Sequence, residues 1–268
     1  MPESNPIPWP LMIGMGVMML ASLSILLAWQ SGRWRDAASA IRPTDPTPAN
    51  GWAVAIVLFF AAQSLLVQLP IVERTPQTAI TIHRVQQLVY FSLAQWVALL
   101  VTLRWTGGSE RWAAWGIHRR ELGRQFFAGG LGAVASLLPV YAALMLTAPF
   151  RNAENQHVLL QLMETNSDGT TILWIALAVM VTAPMVEELM YRVILQSSLE
   201  CWWNRRVAWI GTAVLFSAVH GLPDAIPLLP LALILGFVFQ QTRSYLAVVV
   251  LHALFNGWNL FWALMKAS

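Results

Sequence analysis

The chain has 268 residues, 57% of them hydrophobic and only 11% charged, with 16 Lys+Arg against 13 Asp+Glu and a net charge of +3. An ordinary soluble domain carries about 25% charged residues, so the composition argues against a water-soluble globule. It also argues against disorder, which needs low hydrophobicity and high charge, and, lacking a dense basic stripe, against nucleic-acid binding. The single cysteine, Cys201, leaves no disulfide framework within the chain and no Cys-based zinc cluster. A mean hydropathy of +0.58 points to an integral membrane protein.

A helix needs about 20 mainly apolar residues to cross the hydrocarbon core. The first such run covers about 8–29. The stretch before it, MPESNPIP, has no Lys or Arg, and the run is too long for a signal peptide, so it reads as an uncleaved anchor. Further spans are expected at about 52–70, 85–103 and 126–148, then a longer one at 171–199 that is interrupted by charge. The last three lie at about 207–222, 226–242 and 245–265, with Pro223, Pro227 and Pro230 able to bend one of them or make it re-entrant. The expected fold is all-α, a polytopic membrane bundle of about eight transmembrane helices. It divides into residues 1–125, with helices 1–3 and a cytoplasmic loop, and 126–268, a membrane core with helices 4–8 that the polar residues of spans 5, 6 and 8 mark as the catalytic part.

Orientation follows from where the basic residues fall. Arg33, Arg35 and Arg42 follow span 1, and Arg104, Arg111, Arg119, Arg120 and Arg124 lie between spans 3 and 4. Arg205, Arg206 and Arg243 follow spans 5 and 7, so all eleven share one side, against Arg74, Arg84, Arg151 and Lys266 on the other. This bias predicts both termini outside and the 104–125 loop in the cytoplasm. The Pro-rich piece 43–48 reads as a cytoplasmic linker. Segment 110–125 mixes Trp and Arg as an interfacial helix would, or is simply a loop obeying the positive-inside rule; neither reading gives it a catalytic role. No internal repeat, P-loop or GxGxxG stands out.

A charge at the bilayer centre costs at least about 2.5–3.5 kcal/mol, so intramembrane charges face the bundle interior, find partners and usually serve function. Span 5 carries Glu187, Glu188 and Arg192 in APMVEELMYRVILQ. On a helix, Glu188 and Arg192 share a face at i,i+4, while Glu187 is turned about 100° away. The economical arrangement pairs one carboxylate with Arg192 and leaves the other for a cavity wall. A carboxylate poised between acid and base is what hydrolysis needs. An ion-pair staple would explain Glu188–Arg192 but not Glu187. Span 6 carries Phe216 and His220 in LFSAVHGL, and span 8 carries His252 and Asn256 one turn apart in LHALFNGW. Either group alone could be a hydrogen-bonded core feature. Together, from three spans, they form an inventory for activating water and holding an oxyanion.

EELMYR matches EExxxR, FSAVH matches FxxxH and HALFN matches HxxxN, in that order. With these three motifs the sequence resembles the CPBP intramembrane proteases, the family of the Rce1-type CAAX prenyl endopeptidases and the bacterial Abi-type proteins. The resemblance covers about 184–260 directly. It implies peptide-bond hydrolysis in a cavity opening toward one leaflet, with Glu187 and His220 activating water. It also implies Glu188 and Arg192 as a supporting pair, Glu188 also able to share the water site, and His252 and Asn256 at the oxyanion. Two His plus Glu is a legitimate catalytic zinc set, so Glu187, His220 and His252 are the ligands if Zn2+ takes part. HExxH is absent, and the favoured expectation requires no cofactor. A transporter or proton relay is the rival from another class, disfavoured by the lack of an inverted repeat; a non-proteolytic membrane partner of the same fold is a third reading. The expected partners are membrane lipid and a peptide or lipidated-protein substrate, with no nucleic acid. The use of 15 Arg to one Lys hints at a GC-rich bacterial genome, and thus at the bacterial plasma membrane.

Overall fold

A computed structural model describes residues 9–31, 45–68, 81–107, 112–117, 121–151, 162 and 168–267, and among them it contains helices and no strand. Eight helices follow one another: α1 (Trp9–Gln30), α2 (Gly51–Leu66), α3 (Ile82–Gly107), α4 (Leu122–Thr147), α5 (Gly169–Trp202), α6 (Arg205–Ala218), α7 (Ala225–Thr242) and α8 (Tyr245–Ala267). Six of them, α1, α3, α4, α5, α7 and α8, are long and apolar enough to cross a membrane. The architecture is the expected all-α membrane bundle. The span expected at 207–222 is shorter, because Gly221 with φ +74 and Pro223 end the helical run at Ala218. Its 14 residues reach about 21 Å, against a hydrocarbon core of about 30 Å. The prolines of the next segment do not break it: α7 starts at Ala225 and continues through Pro230.

Helix starts are written in the sequence. Asn50, Asp168 and Asn204 each accept backbone N–H bonds from the first turn of α2, α5 and α6, satisfying donors that a helix N-terminus leaves without partners. At the centre, α4 packs against α7 and α8. Gly129 and Gly132 allow the close approach: a Cβ at Gly129 would stand 2.6 Å from the Ala247 carbonyl oxygen, and one at Gly132 would strike Leu251. Small residues serve this purpose where lipid supplies no hydrophobic drive for helix association.

α4 also contains Pro139, which cannot donate to the carbonyl of Ala135 one turn earlier. The hydroxyl of Ser22 on α1 donates to that carbonyl at 2.9 Å and accepts from the Leu138 N–H at 3.1 Å. Ser22 is the one residue α1 buries, so the anchor helix is fastened at the point where α4 is weakest.

Several sequence expectations fall on residues 1–8, 32–44, 69–80, 108–111 and 118–120, outside the described residues. These include Arg33, Arg35, Arg42, Arg74, Arg111, Arg119 and Arg120 and the start of the Pro-rich piece. Within segment 110–125 residues 122–125 already begin α4, while residues 112–116 are turn, with Trp115 buried and edge-on to Trp112 at 6.0 Å. The turn docks on the α7–α8 junction, where Gly116 accepts the Tyr245 N–H at 2.9 Å. A Cβ on Gly116 would meet the Arg243 carbonyl at 2.5 Å. Arg243, counted above as a loop charge, is buried and ion-paired with Glu200. Gln240 donates to the same carboxylate at 2.8 Å and Gln196 at 3.3 Å, closing a polar network between α5 and α7.

Candidate active site

The site is built on an irregular stretch of α5. Widened, π-helical turns at Leu177–Thr182 and Leu189–Gln196 flank an α-helical segment, Ala183–Glu188. At the first junction the Ala183 N–H reaches back five residues to the Ala178 carbonyl, immediately before Pro184. Such insertions re-aim side chains and recur at functional sites.

The two glutamates diverge, as their adjacency on a helix requires. Glu188 is wholly buried: Oε2 accepts from Arg192 Nε at 3.2 Å, and Oε1 lies 2.8 Å from His252 Nδ1. Arg192 is equally buried, with its Nη1 and Nη2 lacking hydrogen-bond partners among the described residues and its guanidinium 5.3 Å from the Phe216 ring centre. Glu187 faces the other way. Its Oε2 is buried without a hydrogen-bond partner among the described residues and stands 4.0 Å from His220 Nε2 and 3.9 Å from His252 Nε2.

Phe216 sits among these groups, its ring 4.8 Å from that of His220, 5.9 Å from His252 and 5.2 Å from Tyr191. Its carbonyl is 2.7 Å from His220 Nδ1. A carbonyl only accepts, so Nδ1 carries a proton, and in the neutral ring Nε2 presents a lone pair toward Glu187. Asn256 turns to α5, donating from Nδ2 to the Val179 carbonyl at 2.7 Å within the first widened stretch. Thus Glu187, Glu188, Arg192, Phe216, His220 and His252 share one contact network, while Asn256 sits beside it and ties α8 to α5.

A cavity of about 420 Å³ reaches Glu187 and His220 from the side of α2 and α3, lined in part by Phe60, Gln63, Ser92 and Gln95. Sequence reasoning weighed only the charged and motif-bearing intramembrane residues and passed over these amides and hydroxyls. It also passed over Gln68, which donates at 2.9 Å to the carbonyl of Val219, next to His220. Tyr245 was missed as well; it accepts from Trp96 Nε1 at 2.9 Å and donates to the Met185 carbonyl at 2.6 Å, two residues before Glu187. The available signal was a glutamine or tyrosine inside or beside an apolar span; which side chain each would meet is a matter of packing.

The donor chemistry of Glu187, His220 and His252 suits zinc: two imidazole nitrogens, each ring held through its other nitrogen, plus a carboxylate. The spacing does not. Among the described residues no group of three or more His, Cys, Asp or Glu is arranged to hold a metal ion, so the chemistry is derived from the side chains themselves.

Comparison with curated proteins and with solved structures gave no match. Residues 169–258 match the sequence model of the type II CAAX prenyl endopeptidase Rce1-like family. That stretch begins at the first residue of α5 and ends two residues past Asn256, enclosing all three motifs. Through this segment, about a third of the chain, the protein is similar to the Rce1-like type of CPBP membrane protease.

Proposed function

We propose that the chain is an intramembrane endopeptidase in which Glu187 and His220 activate the attacking water. The observation that carries this reading is the Glu187 carboxylate at the cavity floor, with an oxygen that lacks a partner facing two imidazole Nε2 atoms at 3.9 and 4.0 Å. One water molecule about 2.8 Å from each atom would fill that gap. Glu187 Oε2 and the Nε2 lone pair of His220 are both acceptors, so the water donates both hydrogens to them and turns its own lone pairs toward the cavity. Its oxygen adds to the scissile carbonyl carbon while one proton passes to Glu187. The oxyanion is assigned to His252, donating from Nε2 in its doubly protonated form, and to Asn256. Glu187 returns the proton to the amide nitrogen as the C–N bond breaks. Glu188 and Arg192 hold His252 and take no part in proton transfer.

The reaction needs no metal in this reading. The substrate is a peptide or lipidated protein at the bilayer surface, either CAAX-like or a small bacterial membrane peptide. The loop bias of basic residues supports both termini outside, and the use of 15 Arg to one Lys supports a bacterial plasma membrane.

The test is a membrane proteome comparison of cells carrying the wild type or Glu187→Gln, followed by purification and assay on the precursor that accumulates. The expected result is an uncut precursor in the variant, cleaved by purified wild type with a strong chelator present. Full cleavage by Glu187→Gln would overturn the mechanism. Activity lost to chelator and restored by zinc would overturn the metal-free form.

A further inference from the structure

Outside the matched segment, α2 and α3 place polar side chains on the wall of the cavity that holds Glu187. Gln63 of α2 and Ser92 and Gln95 of α3 line it. The Gln63 amide and Ser92 hydroxyl make no hydrogen bond among the described residues. Gln95 spends one N–H on the thioether of Met190, at 3.3 Å, and its oxygen accepts no hydrogen bond among the described residues. These groups interrupt helices whose neighbouring positions, Phe59, Leu66, Leu93 and Val97, are exposed and apolar.

Gln63 is exposed and Ser92 and Gln95 are half-buried, so all three are open to whatever fills the cavity, and on helices whose outer positions are apolar they mark this wall as the place where a polar ligand is met. A side-chain amide offers a donor and an acceptor side by side, as a peptide unit does. A helical segment spends its N–H and C=O groups within itself, whereas an extended one exposes the N–H and C=O groups that the amides need.

We infer that Gln63 and Gln95 are substrate-binding residues that hydrogen-bond the main chain of an extended peptide, with Ser92 between them and Phe60 and Phe91 receiving an apolar side chain. This rests on the proteolytic reading above and deepens it: the substrate class is an unwound, apolar segment read through its backbone. The two phenyl rings stand edge to face at 6.4 Å between α2 and α3 and form the apolar part of the same passage.

The experiment uses the full chain in lipid nanodiscs and a library of quenched fluorogenic apolar peptides. For a peptide that is cleaved, each amide N–H near the scissile bond is replaced in turn by an ester oxygen. The expected result is that Gln63→Leu and Gln95→Leu each raise KM about fivefold to tenfold, the worth of one hydrogen bond, with kcat within about twofold. One ester peptide should lose the same factor on the wild type and nothing further on the matching variant. Unchanged KM in both variants, or ester and variant losses that simply multiply, would overturn the backbone clamp while leaving the protease reading intact. No cleavage that Glu187→Gln abolishes would overturn both. If a leucine variant fails to fold, Gln63→Asn or Gln95→Asn, which shortens the side chain and keeps its amide, takes its place in the same cycle.

Discussion

Removing the Glu188 carboxylate should destabilise the bundle more than any other single change at the site. Arg192 is 0% exposed, and its hydrogen bond is to Glu188 through Nε at 3.2 Å, with both Nη atoms already without partners among the described residues. Deleting Glu188 leaves a guanidinium buried against the Phe216 ring with no counter-charge hydrogen-bonded to it, and it also strips His252 Nδ1 of its acceptor. Breaking a buried pair from one side costs about 3–5 kcal/mol, whereas replacing both members with apolar groups of similar volume is often neutral. Glu188→Ala should therefore unfold at markedly lower SDS fraction in mixed micelles, by about 3–5 kcal/mol. Glu188→Leu with Arg192→Met should recover most of that loss. Glu187→Gln is the control: Glu187 makes no hydrogen bond through Oε2 and its side chain is 26% exposed, so stability should stay within about 0.5 kcal/mol while cleavage falls by about two to four orders of magnitude. The reasoning fails if Glu188→Ala unfolds like the wild type, or if the double variant is no more stable than Glu188→Ala.

Gly129→Ala should be worse tolerated than Gly130→Ala on the same helix, because its Cβ would meet the Ala247 carbonyl at 2.6 Å whereas Gly130 faces open space; overpacking of this kind costs about 1–3 kcal/mol, readable as a lowered melting temperature. Ser22→Ala should cost about 1 kcal/mol in the wild type but little in a Pro139→Ala background, where the restored N–H satisfies Ala135; equal losses in both backgrounds would show that Ser22 does something else. The Thr171 hydroxyl, helped by the Thr171 and Thr170 N–H groups, holds the exposed Asp168 carboxyl below its ordinary value. Its capping contribution is then complete above the ordinary carboxylate range and fades as pH falls through that lowered value, so the melting gap between wild type and Asp168→Ala should narrow in acid; a gap constant with pH would contradict the assignment.

What was legible in the sequence was what a one-dimensional pattern can carry. Apolar runs of the right length gave the helices, and residues too costly to leave in lipid marked the site. The divergence of Glu187 from Glu188 followed from helix geometry alone and survives the widened turns around it. Three kinds of feature were not legible. The end of α6 at Ala218 depends on a glycine at positive φ, which a hydropathy reading counts as one more small residue. Arg243 carries a loop-like position in the sequence, yet its partner Glu200 lies on a different helix. The tautomer of His220 depends on the Phe216 carbonyl, which every residue possesses and no motif advertises.

The bond from Gln68 to the Val219 carbonyl has a mechanical consequence. α2 is at once a wall of the cavity and a tether on the turn that carries His220, because Gln63 and Gln68 lie five residues apart on the same run of chain. The seating of the turn that carries His220 and the shape of the cavity wall are therefore set by one stretch of chain, so a change in how α2 is placed would be felt at both.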